Sequence, residues 1–330
     1  RTVTGVQTCA LPIYSLTIGS GAATGNVLNV TDGTLTNVGN IAVAANNTAY
    51  FNNAKVAAGA NGNLLSGSGL AYLQAGGLTI DSAAFSVTNT LGLTGDPNSS
   101  GGGLIKDGSG TLVLSAVNTY SGATTVTNGT LVTAANFVIS TNSALRIASG
   151  ATFTNNFQQA VASIAGAGNI ILGASGVLSN GFDNTSTTFS GPITGAGALA
   201  KYGTGVLTLS GTNTFSGSNT VNNGLELISG VTSNGSSVVT LATGGSLAVS
   251  NGATFWSSNV TVGSAGSGAT YLVGAGAGAV AVSNGAITVG STSSGNNSMT
   301  VTNASLQSGA ATIGLGSSNN TVSVLQGGRW

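Results

Sequence analysis

The stretch GLIKDGSGTLVLSAVNTYSGATTVTNGTL, from Gly103 to Leu131, returns 95 residues later as ALAKYGTGVLTLSGTNTFSGSNTVNNGLE, from Ala198 to Glu226. Fifteen of the twenty-nine positions are identical, so the two stretches form an internal repeat. Each copy alternates apolar and polar residues between Asn-Gly and Ser-Gly pairs, a pattern typical of short strands joined by tight turns. Such a unit cannot bury its apolar face alone and must stack on its neighbours. The repeat therefore predicts a stacked β-structure.

The composition supports the same architecture. Only 4% of the 330 residues are charged, there are 54 glycines and no histidine, and the net charge is zero. Hydrophobic residues make up 41%, which favours a folded chain over a disordered one. In a stack of strands about 4.8 Å apart, like charges on successive coils repel, whereas Asn, Thr and Ser side chains can hydrogen-bond. A stacked β-structure thus explains why charge is scarce.

The C-terminal third repeats with a shorter period. The triplets TVG, TVG and TIG begin at residues 261, 288 and 312, and NNSMTVT at 296 returns as NNTVSVL at 319. A period in the low to middle twenties predicts one coil of a parallel β-helix, with three short strands and three turns, and about 13 coils in the chain. An up-and-down barrel also alternates, but it is less favoured because its aromatic girdles are missing.

The first thirteen residues, RTVTGVQTCALPI, match nothing further along the chain. They resemble the translation of a sequencing adapter, and we expect residues 1–13 to be non-native, although a genuine N-terminal coil is the alternative. Residues 14–330 are then predicted to form a single continuous β-helix. We expect this to be a fragment truncated at both ends.

The chain offers little support for binding to nucleic acid or insertion into a membrane. No stretch of about 18 apolar residues occurs, so no membrane-spanning helix is predicted. Phosphate recognition needs clustered cations, and the basic residues are scattered. They are Arg1, Lys55, Lys106, Arg146, Lys201 and Arg329.

Enzymatic chemistry is also not favoured. Carbohydrate-active β-helices need paired carboxylates or a calcium cluster, and without histidine there is no Ser-His triad. Each acidic residue lies in a coil of its own; they are Asp32, Asp81, Asp96, Asp107, Asp183 and Glu226. We therefore predict no catalytic, cofactor-binding or metal-binding residues and no cofactor.

Four further residues attract a functional interpretation. Lys106 and Lys201 are kept by the repeat, and we interpret them as solvated turn positions that limit edge pairing. Of the adjacent Phe255 and Trp256, alternation requires one to point outward. An outward Trp could stack on a sugar, although a lone surface Trp more often covers local packing.

The two repeats resemble the autotransporter-associated β-strand repeat, whose pattern is close to GGLxKxGxGTLTLSGxNTYSGxTTVxxGTL. The resemblance implies a right-handed, single-stranded parallel β-helix that is exported to the surface of a Gram-negative-type bacterium. The alternation would place the apolar residues of both copies inside the coil; these are Leu112, Leu114, Val126, Leu207, Leu209 and Val221. Asn118 and Asn213 are predicted to bond nearby backbone groups at turns.

Two of the positions at which the copies differ bear on the packing. Tyr120 is replaced by Phe215, so the site needs an aromatic body and not a hydroxyl. Glu226 stands where Leu131 stood. Either the strand slips by one residue or Glu226 faces solvent.

These observations predict a non-enzymatic, secreted cell-surface β-helix, the stalk or adhesin-like passenger of an autotransporter. Its partners would be host or environmental surface glycans or proteins. A C-terminal membrane barrel or sorting anchor is expected beyond this fragment. The alternative is an extracellular module that binds or processes polysaccharide in a cleft around Phe255 and Trp256.

Overall fold

The computed structural model describes residues 2–4, 13–250, 252–276, 280–291 and 295–330, with the backbone alone for 2–4 and 234–236. All the regular structure in these residues is β-strand. The chain divides into two compact units, Arg1–Ala162 and Ser163–Trp330.

The strands of the first unit are short. They are β1 (Thr2–Thr4), β2 (Leu16–Ile18), β3 (Val27–Thr31), β4 (Thr34–Val38), β5 (Ile41–Val43), β6 (Thr48–Asn52), β7 (Ala54–Ala58), β8 (Gly62–Gly67), β9 (Leu70–Leu73), β10 (Leu78–Asp81), β11 (Ser86–Asn89), β12 (Leu93–Gly95), β13 (Leu104–Asp107), β14 (Thr111–Leu114), β15 (Thr124–Val126), β16 (Thr130–Thr133), β17 (Leu145–Ile147), β18 (Thr152–Asn155) and β19 (Gln158–Val161). Within this unit they pair in the orders β1-β3-β6-β9-β12, β4-β7-β10-β13-β15-β17 and β2-β5-β8-β11-β14-β16-β18.

The second unit has the same plan with some longer strands. Its strands are β20 (Ile164–Gly166), β21 (Asn169–Leu172), β22 (Val177–Asn180), β23 (Thr187–Phe189), β24 (Ile193–Gly195), β25 (Ala198–Lys201), β26 (Val206–Leu209), β27 (Thr212–Asn213), β28 (Asn219–Val221), β29 (Gly224–Ile228), β30 (Val231–Leu241), β31 (Gly245–Ser250), β32 (Thr254–Val262), β33 (Thr270–Ala275), β34 (Ala281–Val289), β35 (Ser298–Val301), β36 (Ser305–Ser308), β37 (Ala311–Ile313) and β38 (Thr321–Val324). They pair in the orders β20-β23-β26-β29-β31-β33-β35-β38 and β22-β25-β28-β30-β32-β34-β36, with β21 beside β24, and with β27 beside β30 and β37 beside β34.

The core lies inside the coils, because alternate residues of each strand point inward. Val30 pairs with Phe51 and Phe51 with Leu73, and all three are fully buried. Successive strands are joined by turns that change the chain direction. Residues with positive φ, where Asn and Gly are favoured, lie in these turns; Asn46 (φ 61°) and Asn53 (φ 47°) are examples. Polar side chains at the turns and apolar ones at alternate strand positions therefore generate the coil.

The register confirms the periods predicted from the C-terminal third. Thr261 pairs with Thr288 and Thr288 with Thr312, at the spacings of the TVG and TIG triplets. Met299 pairs with Val322, which aligns the two NN-containing segments. The described residues of the two units contain about 14 coils, against the predicted number of about 13. The predicted parallel β-helix is confirmed.

Most of the segment 1–13 lies outside the described residues. The interpretation of this segment as adapter sequence therefore stays a prediction, as does the single continuous β-helix over residues 14–330.

Candidate functional site

Within each long repeat, the strands of the second half pair with those of the first half, so the two halves lie on successive coils. In the first copy Leu104 pairs with Thr124 and Leu112 with Leu131. In the second copy Leu199 pairs with Asn219 and Leu207 with Glu226. In both copies the paired residues lie 20 and 19 positions apart. Each 29-residue repeat therefore contains one complete coil and the strands that begin the next coil.

The predicted inward positions of the repeats are confirmed. Leu112, Leu114, Val126, Leu207, Leu209 and Val221 are all buried. Asn118 and Asn213 also bond backbone as predicted: Asn118 Oδ1 accepts from the amide of Leu93 at 2.8 Å, and Asn213 Oδ1 from that of Ile193 at 3.0 Å. Both side chains are buried, and each ties its turn to the preceding coil.

The interpretation of Lys106 as a solvated turn residue is wrong. Its side chain is fully buried, and its Nζ donates to the carbonyl oxygens of Asp107 (2.8 Å), Gly108 (2.7 Å) and Asn128 (3.0 Å). An ammonium has three donors, and three carbonyls satisfy them. Two of these carbonyls belong to one turn and the third to the next coil. We call this arrangement a lysine cage.

The same correction applies to Lys201, which forms the second lysine cage. Its Nζ donates to the carbonyls of Tyr202 (2.6 Å), Gly203 (2.9 Å) and Asn223 (3.3 Å). Burial lowers the pKa of both lysines, that of Lys106 to about 8, while the carbonyl oxygens stabilise the protonated form. The clue in the sequence was that Lys, Gly and Asn-Gly recur together, because all of them build the cage.

Both alternatives for Glu226 are also wrong. The strand does not slip, since Leu207 pairs with Glu226 just as Leu112 pairs with Leu131. The carboxyl does not face solvent, because Glu226 is fully buried. Burial raises its pKa to about 7, against the opposing effects of a hydrogen bond from Asn219 and the charge of Lys201. The raised pKa keeps the carboxyl largely protonated in mildly acidic solution.

A second substitution between the repeats gives the Glu226 carboxyl a hydrogen-bond partner. In the first copy the hydroxyl of Tyr120 lies 2.6 Å from Thr124 Oγ1, which in turn lies 2.8 Å from Ser143 Oγ. In the second copy Asn219 replaces Thr124, and its Nδ2 donates to Glu226 Oε1 at 2.6 Å. The hydroxyl of Tyr120 thus takes part in a hydrogen bond. The prediction that the position needs only an aromatic ring therefore describes Phe215 but not Tyr120.

An outward cluster of charges occurs in the first unit. Asp81 and Asp107 pair in register on adjacent coils, and Lys55 Nζ lies 2.8 Å from Asp81 Oδ2 and 3.7 Å from Asp107 Oδ2. The pKa of Asp107 is lowered, chiefly by a hydrogen bond from Asn128. Sequence reasoning treated these acids as isolated; the similar segments LTID and LIKD, 26 residues apart, carried the signal.

Trp256 is the outward member of its pair, as alternation required of one of the two. It is 50% exposed, whereas Phe255 is fully buried and packs edge-on against Tyr271. Trp256 pairs with Ser283, and Ser283 with Gln307, so these side chains form one outward column. A shallow depression of about 200 Å³ lies against this column.

Comparison with known families identifies the two segments that carry the lysine cages. The model of the passenger-associated-transport-repeat matches residues 104–132 and 199–225. The two long repeats are similar to passenger-associated-transport-repeats. This confirms the resemblance to a repeat of autotransporter passengers that the sequence indicated at 103–131 and 198–226.

The chain is also similar to a protein named adhesin BmaC autotransporter, from Brucella suis biovar 1 (strain 1330). The two are 33% identical over 157 residues, which is 46% of this chain and 4% of the relative. The chain therefore spans a small part of that relative's length. No solved structure matches the chain. The described residues contain no helix that is both long and apolar enough to cross a bilayer.

Proposed function

We propose that this chain is an adhesin-like or stalk-forming passenger segment, secreted to the exterior of a Gram-negative-type cell, and that it acts without catalysis. The observation that carries the proposal is the pair of passenger-associated-transport-repeats, each closed into a coil by its own strand pairing and lysine cage. The similarity to an autotransporter adhesin supports it.

The outward faces of the coils offer a way for such a segment to bind. A column of threonines follows one sheet of the second unit from coil to coil, with one residue per coil in register; they are Thr220, Thr240, Thr261, Thr288 and Thr312. Regular, uncharged rows of hydroxyls suit contact through many weak polar interactions. Surface glycans or proteins are the partners that we propose.

The acidic groups favour a non-enzymatic role. A glycosidase needs a carboxyl with a raised pKa that can reach the substrate. Glu226 has a raised pKa but is fully buried. Asp107 reaches the surface, but its pKa is lowered, and both it and Asp81 are engaged by Lys55.

The Trp256 column favours a second candidate, a polysaccharide-binding module. An exposed indole beside the Gln307 amide and the Ser283 hydroxyl combines a stacking surface with hydrogen-bonding groups. This candidate would place binding at one surface of the second unit rather than along the coils.

One experiment separates these functions. The purified chain is applied to arrays of glycans and surface proteins, and bound and soluble polysaccharides are assayed for newly released ends. We expect retention without cleavage. Released ends would contradict the non-enzymatic proposal. Retention that is lost in Trp256→Ala but kept in Leu70→Ala, whose residue is also 50% exposed, would favour the polysaccharide module over the distributed surface.

A further inference from the structure

The closing turn of the second repeat holds an asparagine side chain against the backbone of the glycine that follows it. The amide nitrogen of Gly224 donates to Oδ1 of Asn223 at 2.7 Å. Asn223 is exposed, and Gly224 has a φ of +67°. A Cβ on Gly224 would meet the carbonyl oxygens of Gly203 and Gly205, so only glycine fits this turn.

This geometry places two reactive groups side by side. The Gly224 nitrogen lies next to the side-chain carbonyl of Asn223, and its hydrogen points at that carbonyl. Because Oδ1 is bonded to Cγ, this contact also holds the nitrogen close to Cγ. Once solvent hydroxide removes the amide proton, a rotation of the side chain brings Cγ onto the nitrogen lone pair, and proximity of this kind accelerates an intramolecular attack.

We propose that Asn223–Gly224 is a site of spontaneous deamidation. The Gly224 nitrogen forms a bond to Cγ of Asn223, the bond from Cγ to the side-chain nitrogen breaks, and ammonia leaves with a proton from water. Water then opens the resulting five-membered imide at either carbonyl. The products are an aspartyl or an isoaspartyl residue, and solvent water is the sole co-reactant.

The first repeat provides a built-in comparison. Asn128–Gly129 occupies the equivalent turn and Asn128 is also exposed, but its Nδ2 donates to Oδ1 of Asp107 at 2.8 Å. That bond holds the side chain on the preceding coil. The residue equivalent to Asp107 is Tyr202, whose ring stacks on Phe182 with centroids 4.9 Å apart. Asn223 therefore lacks the restraint that protects Asn128.

The other Asn-Gly pairs with described side chains are restrained by other parts of the chain. Asn61 Oδ1 accepts from the amide of Ser86, and Asn180 Nδ2 donates to the carbonyl of Ala200. Asn284, which is buried, donates to the hydroxyl of Tyr271. Among these described pairs, Asn223 is the one whose side chain bonds its own following amide.

Deamidation here would alter the second lysine cage. The carbonyl of Asn223 is the acceptor that links Lys201 to the next coil, at 3.3 Å. In an isoaspartyl product the peptide link runs through the former side-chain carbonyl, which adds a methylene to the backbone, and the Asn223 carbonyl becomes part of a free carboxylate. Either product adds a negative charge. The closure of the second repeat would loosen with age, while that of the first would persist.

Peptide mapping by mass spectrometry tests the proposal. The folded chain is held in mildly alkaline buffer, and the amide-to-acid mass change is followed at both turns. We expect Asn223 to react roughly tenfold faster than Asn128, because the carboxylate that holds the Asn128 side chain away from its following amide is replaced by Tyr202 in the second repeat. In denaturant the two rates should converge, since both are then unrestrained Asn-Gly peptides. Equal rates in the folded chain, or a difference that persists in denaturant, would overturn the proposal.

Exchanging one residue between the repeats gives a matched control. Tyr202→Asp supplies the carboxylate that restrains Asn128 and should slow the reaction at Asn223. Asp107→Ala frees Asn128 and should bring its rate up to that of Asn223. If Asp107→Ala leaves Asn128 as slow as before in a chain that is still folded, the restraint is not the cause and the proposal fails.

Discussion

Glu226 takes the place of Leu131 in the second repeat, and Asn219 takes the place of Thr124 beside it. The pair is coupled by a hydrogen bond of 2.6 Å inside the coil, but Oε2 of Glu226 has no partner in the described residues. A carboxyl in such a site is tolerated when neutral and costly when ionised. At the scale of single residues, the second repeat thus has a buried carboxyl that the first repeat lacks.

Replacing Glu226→Leu together with Asn219→Thr should remove a dependence of stability on pH. The folded-state pKa of Glu226, about 7, lies above its ordinary value of 4.5, so the folded chain binds this proton more tightly than the unfolded chain. The contribution is complete below pH 4.5 and is lost as pH rises through about 7. The loss is up to about 3 kcal/mol at 1.36 kcal/mol per unit.

Urea unfolding at mildly acidic and neutral pH measures this effect, because Lys106, whose pKa is about 8, stays largely protonated up to neutrality. The wild type should unfold at lower urea in the neutral buffer, and the double variant should unfold alike in both. The chain has no histidine, and carboxyls with a lowered pKa such as Asp107 titrate below this range. Glu226→Gln, which keeps the shape but does not titrate, is the control. A wild-type profile that is flat over this range would show that Glu226 does not ionise in the core.

The burial of the lysines and of Glu226 could not be predicted from residue type, because a charged side chain in a turn or strand is normally solvated. Leu112 and Leu207 could be placed inside the coil from alternation alone, because burying an apolar side chain requires only that it point inward. Lys106 is buried because three specific carbonyls converge on it, and convergence depends on the curvature of two successive turns. That geometry leaves no periodic signal in the sequence apart from its recurrence at Lys201.

At the scale of the coil, the lysine cage connects one turn of the solenoid to the next. Strand pairing holds successive coils together along their straight segments. The cage acts at a corner, where Lys106 contacts a carbonyl of its own turn and one from Asn128 in the next coil. These hydrogen bonds hold the corners of successive coils together and stabilise the coil of 19 to 20 residues that is common to both repeats.

Lys106→Met should destabilise the first unit, because it leaves three carbonyl oxygens in a buried corner without their donor. We expect a loss on the order of 3 kcal/mol in the free energy of unfolding. Arg146→Met is the matched control. It removes an exposed basic side chain from the same unit and should cost at most about 0.5 kcal/mol. Urea unfolding followed by circular dichroism measures both; equal losses would mean that the cage contributes no more than an exposed basic side chain.

The repeat periods also determined which parts of the coil could be predicted. The TVG and TIG triplets fixed the pairing of Thr261, Thr288 and Thr312 because identical outward residues recur at each coil. The stacking of Asp81 on Asp107 was missed because the four-residue segments LTID and LIKD share only their first and last residues, too few to define a period. Lys55 lies between these carboxylates, which explains how stacked like charges are tolerated in a structure that otherwise avoids them.

At the scale of the whole molecule, at least half of the twelve charged residues are buried or paired with one another. The chain has six basic and six acidic residues. Lys106, Lys201 and Glu226 are buried, and Lys55 is paired with Asp81 and Asp107. The outward rows are instead hydroxyl and amide groups, whose interactions do not depend on ionic strength. The surface therefore favours short-range contact over long-range electrostatic steering.

Binding of this chain to the surface glycans or proteins that we propose as its partners should accordingly be insensitive to salt. We expect the dissociation constant to change by less than about twofold between roughly 0.05 and 0.5 M sodium chloride, because screening acts only on charges. Surface plasmon resonance on a glycan or protein recovered from the arrays measures this. A variant carrying Thr261→Lys and Thr288→Lys, on the outward threonine column, adds neighbouring charges and should gain salt-sensitive binding to anionic surfaces. A wild-type affinity that falls tenfold or more with salt would mean that the few exposed charges, and not the neutral rows, form the contact.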